Sequence, residues 1–267
     1  MQPIKIQTLR LTRYIDILAG SSRPILGAAK DASGQETEVV VKLVGSLKRG
    51  TFSRSAELIG ALLARDLGLK TAEPVFVDIS ANFQDSVQDK ALADVLKRSP
   101  GLNFGVKKLE RGSITWPIES TRQLSDDFLE EAPLIFGFDI TTQNFDRKKD
   151  NPNLLQYRRE IVLYDHEMAF SSLWNNPGAP TLDKLEFDTF YGHVFYYQEA
   201  LSKLREATTE LAARLGRMTE TRLVEYQQVI PAAWQAECDS TDRILEYIRW
   251  VCEHRSQIVT EIQNRFL

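Results

Sequence analysis

The sequence predicts an α+β protein, a small β-rich lobe followed by a larger helical lobe. Three observations predict it. The first forty-odd residues alternate polar and apolar side chains between turn signals, and beyond about residue 120 the apolar positions take on a helical spacing. A chain of 267 residues also suits two lobes that share one cleft.

Ile4, Ile6 and Leu9 open the first expected strand, and Ile25 to Ala29 and Glu38 to Val44 continue as a three-stranded meander. Gly20-Ser21-Ser22-Arg23-Pro24 and Asp31-Ala32-Ser33-Gly34 supply the two turns. A helix capped by Ser53 or Ser55 follows, with Leu58, Ile59, Leu62, Leu63 and Leu67 on one face and Gly68 as its stop. Pro74 to Ile79 returns to strand. Residues 80–101 read as an insertion or mobile loop around a short apolar piece, Ala91 to Leu96. Phe104 to Leu109 reads as a further strand, and Arg111-Gly112-Ser113 with the Pro117 region as the connection between lobes, which divides the chain into 1–112 and 113–267. Asp126 to Phe138 is helical in pattern, with Pro133 forced to kink or restart it. Thr141 to Asn153 is a polar loop, Ile161 to Tyr164 a buried strand, and the chain beyond Phe195 is mainly helical: Leu201–Leu215, Glu220–Val229 and a long last helix marked by Ile244, Ile248, Val251, Ile258 and Ile262.

With 43% hydrophobic and 26% charged side chains, the chain has material for a core and too little charge excess for disorder. Its net charge of -4 provides no global positive field, so direct nucleic-acid binding is not expected. No apolar run approaches the ~20 residues of a membrane helix, and the first residues lack the pattern of a signal peptide, so a cytoplasmic protein without membrane contact is expected. Cys238 and Cys252 lie in a late helical region, and His166, His193 and His254 are scattered without zinc-site spacing.

Lys42, Glu57, Asp146, Asn151 and Asp165 stand out by context. Each has a plain alternative: a snorkelling lysine at the end of a Val-rich strand, a glutamate favoured by a helix dipole, turn formers in a loop, a cap after a strand. Their order changes the balance. Glu57 shares its helix face with Gly60, Ala61 and Ala64, whose small side chains let that face approach a strand carrying Lys42. Asp146 and Asn151 have the D-x4-N spacing of a kinase catalytic loop, and Asp165 ends an apolar strand downstream, where a kinase places its metal-chelating aspartate.

Asn144-Phe145-Asp146-Arg147, Asn151-Pro152-Asn153-Leu154-Leu155 and Tyr164-Asp165-His166 resemble the signatures of the HipA-like kinases, in the compact branch without the long N-terminal extension. The resemblance extends through Val39-Val40-Val41-Lys42, Ala56-Glu57-Leu58 and Leu67-Gly68-Leu69. It implies a protein-kinase-like two-lobed fold with ATP and Mg2+ between the lobes, and phosphoryl transfer to a serine or threonine hydroxyl of a protein substrate. Lys42 would contact phosphates, Glu57 would orient Lys42, Asp146 would be the base, and Asn151 and Asp165 would hold magnesium. The turn Gly20-Ser21-Ser22-Arg23 departs from GxGxxG, so Ser21, Ser22, Arg23 and backbone N–H groups would have to serve the phosphates. The histidine and arginine that precede the base in ordinary protein kinases are absent. Arg147 is expected in a salt bridge within the loop, His166 as a structural histidine, and the aromatic run from Phe187 to Tyr197 in the core. Small-molecule and lipid kinases and nucleotide-binding modules without turnover share such folds, but all five key residue types are present here.

Overall fold

The computed structural model describes residues 3–47, 49–109, 113–115, 126–175, 178–235 and 240–267. The expected connection at Arg111-Gly112 and Pro117, and Cys238, lie outside the described residues.

The N-terminal strands β1 (Gln7–Ile17), β2 (Ile25–Lys30) and β3 (Glu36–Lys42) form the expected meander. Together with β4 (Pro74–Ile79) and β5 (Gly101–Lys107) they close into a barrel in the order β1-β2-β3-β5-β4, and the closing contact is a parallel pairing of β1 with β4. Period-two alternation turns Leu9, Leu11, Ile25, Val39, Val41, Val75 and Val77 into the interior. Ile4 and Ile6 do not open β1, as expected from sequence; they lie before it and pack against the helical core instead.

Between β3 and β4 runs α1 (Thr51–Asp66), buried from Thr51 to Ala64. It packs with the outer-face residues Phe76 and Phe104 of the barrel and with the long α10 (Ser240–Phe266). Neither Ser53 nor Ser55 caps it, because both sit inside the helix with tertiary partners: Ser53 Oγ donates to Glu167, and Ser55 Oγ lies 3.1 Å from Thr241 Oγ1. Gly68 ends the segment as expected, at a φ of 78° that a side chain would resist. Residues 80–101 are not a mobile loop. A 3-10 turn and α2 (Lys90–Lys97, capped by Asp89) bury Phe83, Leu92 and Leu96 against the barrel core. Three apolar residues at the right spacing suffice to dock so short a segment.

In the helical part, α3 (Asp126–Leu129) and α4 (Glu131–Thr142) are separate, and Pro133 falls in the first turn of α4, where its missing N–H costs nothing. The polar loop therefore begins at Gln143, whose left-handed φ of 54° stops α4. β7 (Leu154–Tyr157) pairs with β6 (Ser113–Thr115) and with β8 (Glu160–Leu163), a strand partnership the sequence reading did not anticipate for Leu154-Leu155. After α5 (Ser171–Asn175), helices α6 (Gln198–Leu201), α7 (Leu204–Leu215), α8 (Glu220–Val229) and α9 (Ala232–Gln235) complete the core with α10. Asp66 at the end of α1 accepts from Arg222 and Tyr226 of α8. Trp234 of α9 donates to Leu102 O of the barrel. Among the described residues no helix is long and apolar enough to cross a membrane.

Candidate active site

Lys42 ends β3 and is only 7% exposed, which removes the snorkelling alternative. Its Nζ is ion-paired with Glu57 Oε1, lies 2.7 Å from Asp165 Oδ1 and 3.8 Å from Glu167 Oε2. Burial pulls the ammonium toward neutrality, yet Asp165, Glu57 and Glu167 together hold it well above the ordinary lysine value. Burial likewise pushes Glu57 up, to about 7, against the pull of Lys42. For Asp165 the balance is reversed: burial would raise it, and Lys42 holds it below the usual carboxylate range.

Glu57 spans both lobes. Its second oxygen, Oε2, accepts from the backbone N–H of His166 at 2.9 Å, so one carboxylate joins a barrel lysine to the segment after β8. This close approach needs Gly60, one turn further along α1. A Cβ there would come within 2.7 Å of His166 Cβ. Gly60→Ala is therefore expected to destabilise the protein by about 1–3 kcal/mol through overpacking, despite the better helix propensity of alanine. Thermal denaturation decides it: a variant at or above the wild-type midpoint contradicts the packing argument.

Asp165 follows Tyr164 at the end of β8 with a left-handed φ of 58°. Asp146 lies in the loop after α4. Its Oδ2 accepts from Asn151 Nδ2 at 3.1 Å and from Asn153 Nδ2 at 3.3 Å, while Oδ1 takes no hydrogen bond from the described residues. Burial, and then the charge of Asp165, raise its pKa. Asn153 links the two segments, since its Nδ2 donates to Asp146 Oδ2 and its O accepts from Tyr164 N, next to Asp165.

Asn151, the residue picked by D-x4-N spacing, is exposed; Asn153, two positions on, is 4% exposed, has a φ of 50°, and also donates to Asp146 O. Asn153, Glu167 and Lys148 were missed as site residues. Asn153 immediately precedes the Leu154-Leu155 strand, and only adjacency to that strand marks it in the sequence. Lys148 is exposed, and its backbone N–H donates to Asp146 O. Glu167 gives no pattern of its own and reaches the site because Asp165 turns the chain.

Ser21, Ser22 and Arg23 form the turn between β1 and β2, with Arg23 N donating to Gly20 O at 3.1 Å. Ile25 pairs with Val41, so this turn stands at the Lys42 end of the β2–β3 ladder. Ser22 is buried, and Ser21 and Arg23 are exposed. Among the described residues none of these three side chains bonds to the Lys42 cluster. His166 is buried, and burial drives its pKa down to about 3, so it is neutral and no acid–base partner at ordinary pH. The salt bridge of Arg147 is not within the loop: it is made with Asp139 of α4, while its Nη1 donates to Asn153 O. Of the aromatic run, Phe187, Phe190 and Phe195 are core residues as expected, Tyr196 and Tyr197 are half-buried, and Tyr191 is exposed.

Glu57, Asp165 and Glu167 bring carboxylate oxygens within 4.8 Å of one another. These are the hard donors that a magnesium ion takes, beside a lysine able to meet phosphate. The residues present fit a divalent cation and a phosphate group beside it.

A β-barrel lobe carrying a buried Lys–Glu pair, over a helical lobe carrying a loop aspartate and a strand-end aspartate, makes this a phosphotransferase with a protein-kinase-like fold. The model of the HipA-like kinase family matches residues 17–260, and the chain belongs to that family. Among solved structures it is similar to the proinflammatory kinase CtkA of Helicobacter pylori, at 11% identity and a TM-score of 0.57, covering 98% of each chain. It also overlaps the Fam20 protein of hydra, at 11% identity and a TM-score of 0.44, over 96% of this chain and 87% of that one. No curated protein sequence matches it.

Proposed function

We propose that the protein transfers the terminal phosphoryl group of ATP, with Mg2+, to a serine or threonine hydroxyl of a protein. The observation that carries this reading is the placement of Lys42 between Glu57 and Asp165, with Asp146 joined to the Asp165 segment through Asn153. Lys42 orients phosphate oxygens and is itself held by Glu57. Asp165 holds the metal with Asn153 or Asn151, and Glu167 adds negative charge at the same place. A bound magnesium ion neutralises phosphate charge. The turn of Ser21, Ser22 and Arg23 covers the phosphates from the barrel side through backbone N–H groups and the Arg23 charge. Asp146 receives the hydroxyl proton at Oδ1, the oxygen left free, while Asn151 and Asn153 fix the other. Lys148 offsets charge that develops on the transferred group.

Two measurements test the reading. Calorimetry with ATP, with and without magnesium, should show a magnesium-linked gain in affinity that Asp165→Ala reduces about tenfold or more. Equal metal dependence in the two proteins would place the metal elsewhere. Labelled ATP incubated with cell lysate, with product separated by mass, should label protein. Label confined to a small molecule overturns the protein-kinase reading, and label in neither overturns turnover.

A further inference from the structure

We propose that Arg147 is a positioning residue that holds the segments carrying Asp146 and Asp165 in fixed relation to one another. The assignment rests on the roles given above to those two carboxylates.

Arg147 follows Asp146 directly and is wholly buried, an environment that costs a guanidinium much unless its donors are used. Nη2 has no partner among the described residues, but Nε and Nη1 reach three elements. Nε donates to Asp139 Oδ2 of α4 at 2.6 Å. Nη1 donates to Asn153 O at 2.5 Å, just before β7, and to Tyr164 O at 3.3 Å, just after β8. Both carbonyls lie beside left-handed non-glycine positions. Asn153 has a φ of 50°, and the Tyr164 carbonyl is part of the peptide that leads into Asp165, at 58°. Left-handed non-glycine residues persist where surrounding contacts over-determine them. Asn153 O also accepts from Tyr164 N at 3.3 Å, so the arginine caps the point where the two strands meet.

The anchor of Arg147 is itself fixed. Asp139 is fully buried, and Asn144 Nδ2 donates to its Oδ1 at 3.3 Å. His193 Nδ1 accepts from Phe195 N at 3.1 Å, which places the ring hydrogen on Nε2, 2.9 Å from Asp139 Oδ2. Burial keeps His193 neutral, and Asp139 stays ionised because Arg147 and His193 together outweigh its own burial. Stability alone does not call for this arrangement, since a buried ion pair is often replaceable by apolar side chains. A hydrocarbon cannot donate to two backbone carbonyls, and a lysine ammonium lacks the planar fork that spans them while facing Asp139.

The test uses ligand-free protein. In Arg147→Lys, amide hydrogen exchange at Tyr164 and His166 is expected to quicken about tenfold or more, while amides of α7 and α10 stay at wild-type rates. Turnover is expected to fall about 100-fold, the scale of a misplaced reacting group. His193→Gln keeps the arginine and removes one support of Asp139, and should show the same local pattern more weakly; it serves if the lysine variant fails to fold. Unchanged exchange at Tyr164 and His166 overturns the assignment, as does acceleration spread evenly over all helices, which would mark a role in global stability only. Exchange is read without nucleotide, so it stands or falls separately from the role of Asp146 as base, which the turnover of Asp146→Asn decides.

Discussion

Asp146→Asn should bind ATP and magnesium as the wild type does while its turnover falls about 100- to 10,000-fold, the usual contribution of a positioned base. The substitution is nearly isosteric. The asparagine carbonyl oxygen still accepts from Asn151 and Asn153, so the loop keeps its shape. What disappears is a carboxylate oxygen free to take a proton. Binding is read by calorimetry and turnover by phosphate transfer at saturating ATP. Wild-type turnover in the variant would remove Asp146 as base, and loss of binding in parallel would make it a ligand instead.

Lys42→Met is expected to abolish phosphate positioning and to destabilise the protein by about 3–5 kcal/mol near pH 8, the scale of breaking a buried ion pair on one side. The variant leaves Glu57, Asp165 and Glu167 together without their cation. Glu57 is already pushed up to about 7 from 4.5 with the ammonium present, and it must rise further without it. A carboxyl whose folded pKa exceeds its unfolded one contributes fully below the unfolded value and loses that contribution as pH rises through the folded value. The deficit of the variant should therefore be small near pH 5 and grow toward pH 8. Asp165 adds to the trend: Lys42 lowers its pKa in the wild type, a contribution present above the unfolded pKa and gone at acid pH. Urea denaturation of both proteins at several pH values measures it. A deficit independent of pH, or one that widens toward acid, contradicts the assignment of charge in this cluster.

Much of the site was legible because its residues sit at element boundaries that patterns mark well. Lys42 ends a valine run, Asp165 ends an apolar strand, and Asp146 lies in a long polar loop between two apolar segments. The small face of Gly60, Ala61 and Ala64 rightly announced a close approach, although what it meets is His166 rather than the lysine strand itself. The misreadings are tertiary. Ser53 and Ser55 look like caps locally, but Glu167 and Thr241, more than a hundred residues away in sequence, claim their hydroxyls. Residues 80–101 look polar, and three well-spaced apolar side chains dock them all the same. Strand β7 is four residues long, too short for a period to declare itself, and with it went the signal for Asn153. Arg147 was read from its neighbours in the chain, while its anchor, Asp139, lies on a helix whose apolar pattern hides one buried charge.

Closure of the barrel has a consequence for how the chain acquires its structure. The seam joins Gln7–Arg10 to Val75–Asp78, across the whole meander, the turn of Ser21 and Ser22, and all of α1. Contacts that distant in sequence repay their loop entropy late, so the seam should be among the last parts of the lobe to form and among the first to open. Until it forms, β1 and β4 each present an unpaired edge, the kind of surface through which partly folded chains associate. Once it has formed, the described strands of the barrel leave no free edge, so a partner chain cannot be joined to that sheet as an added strand.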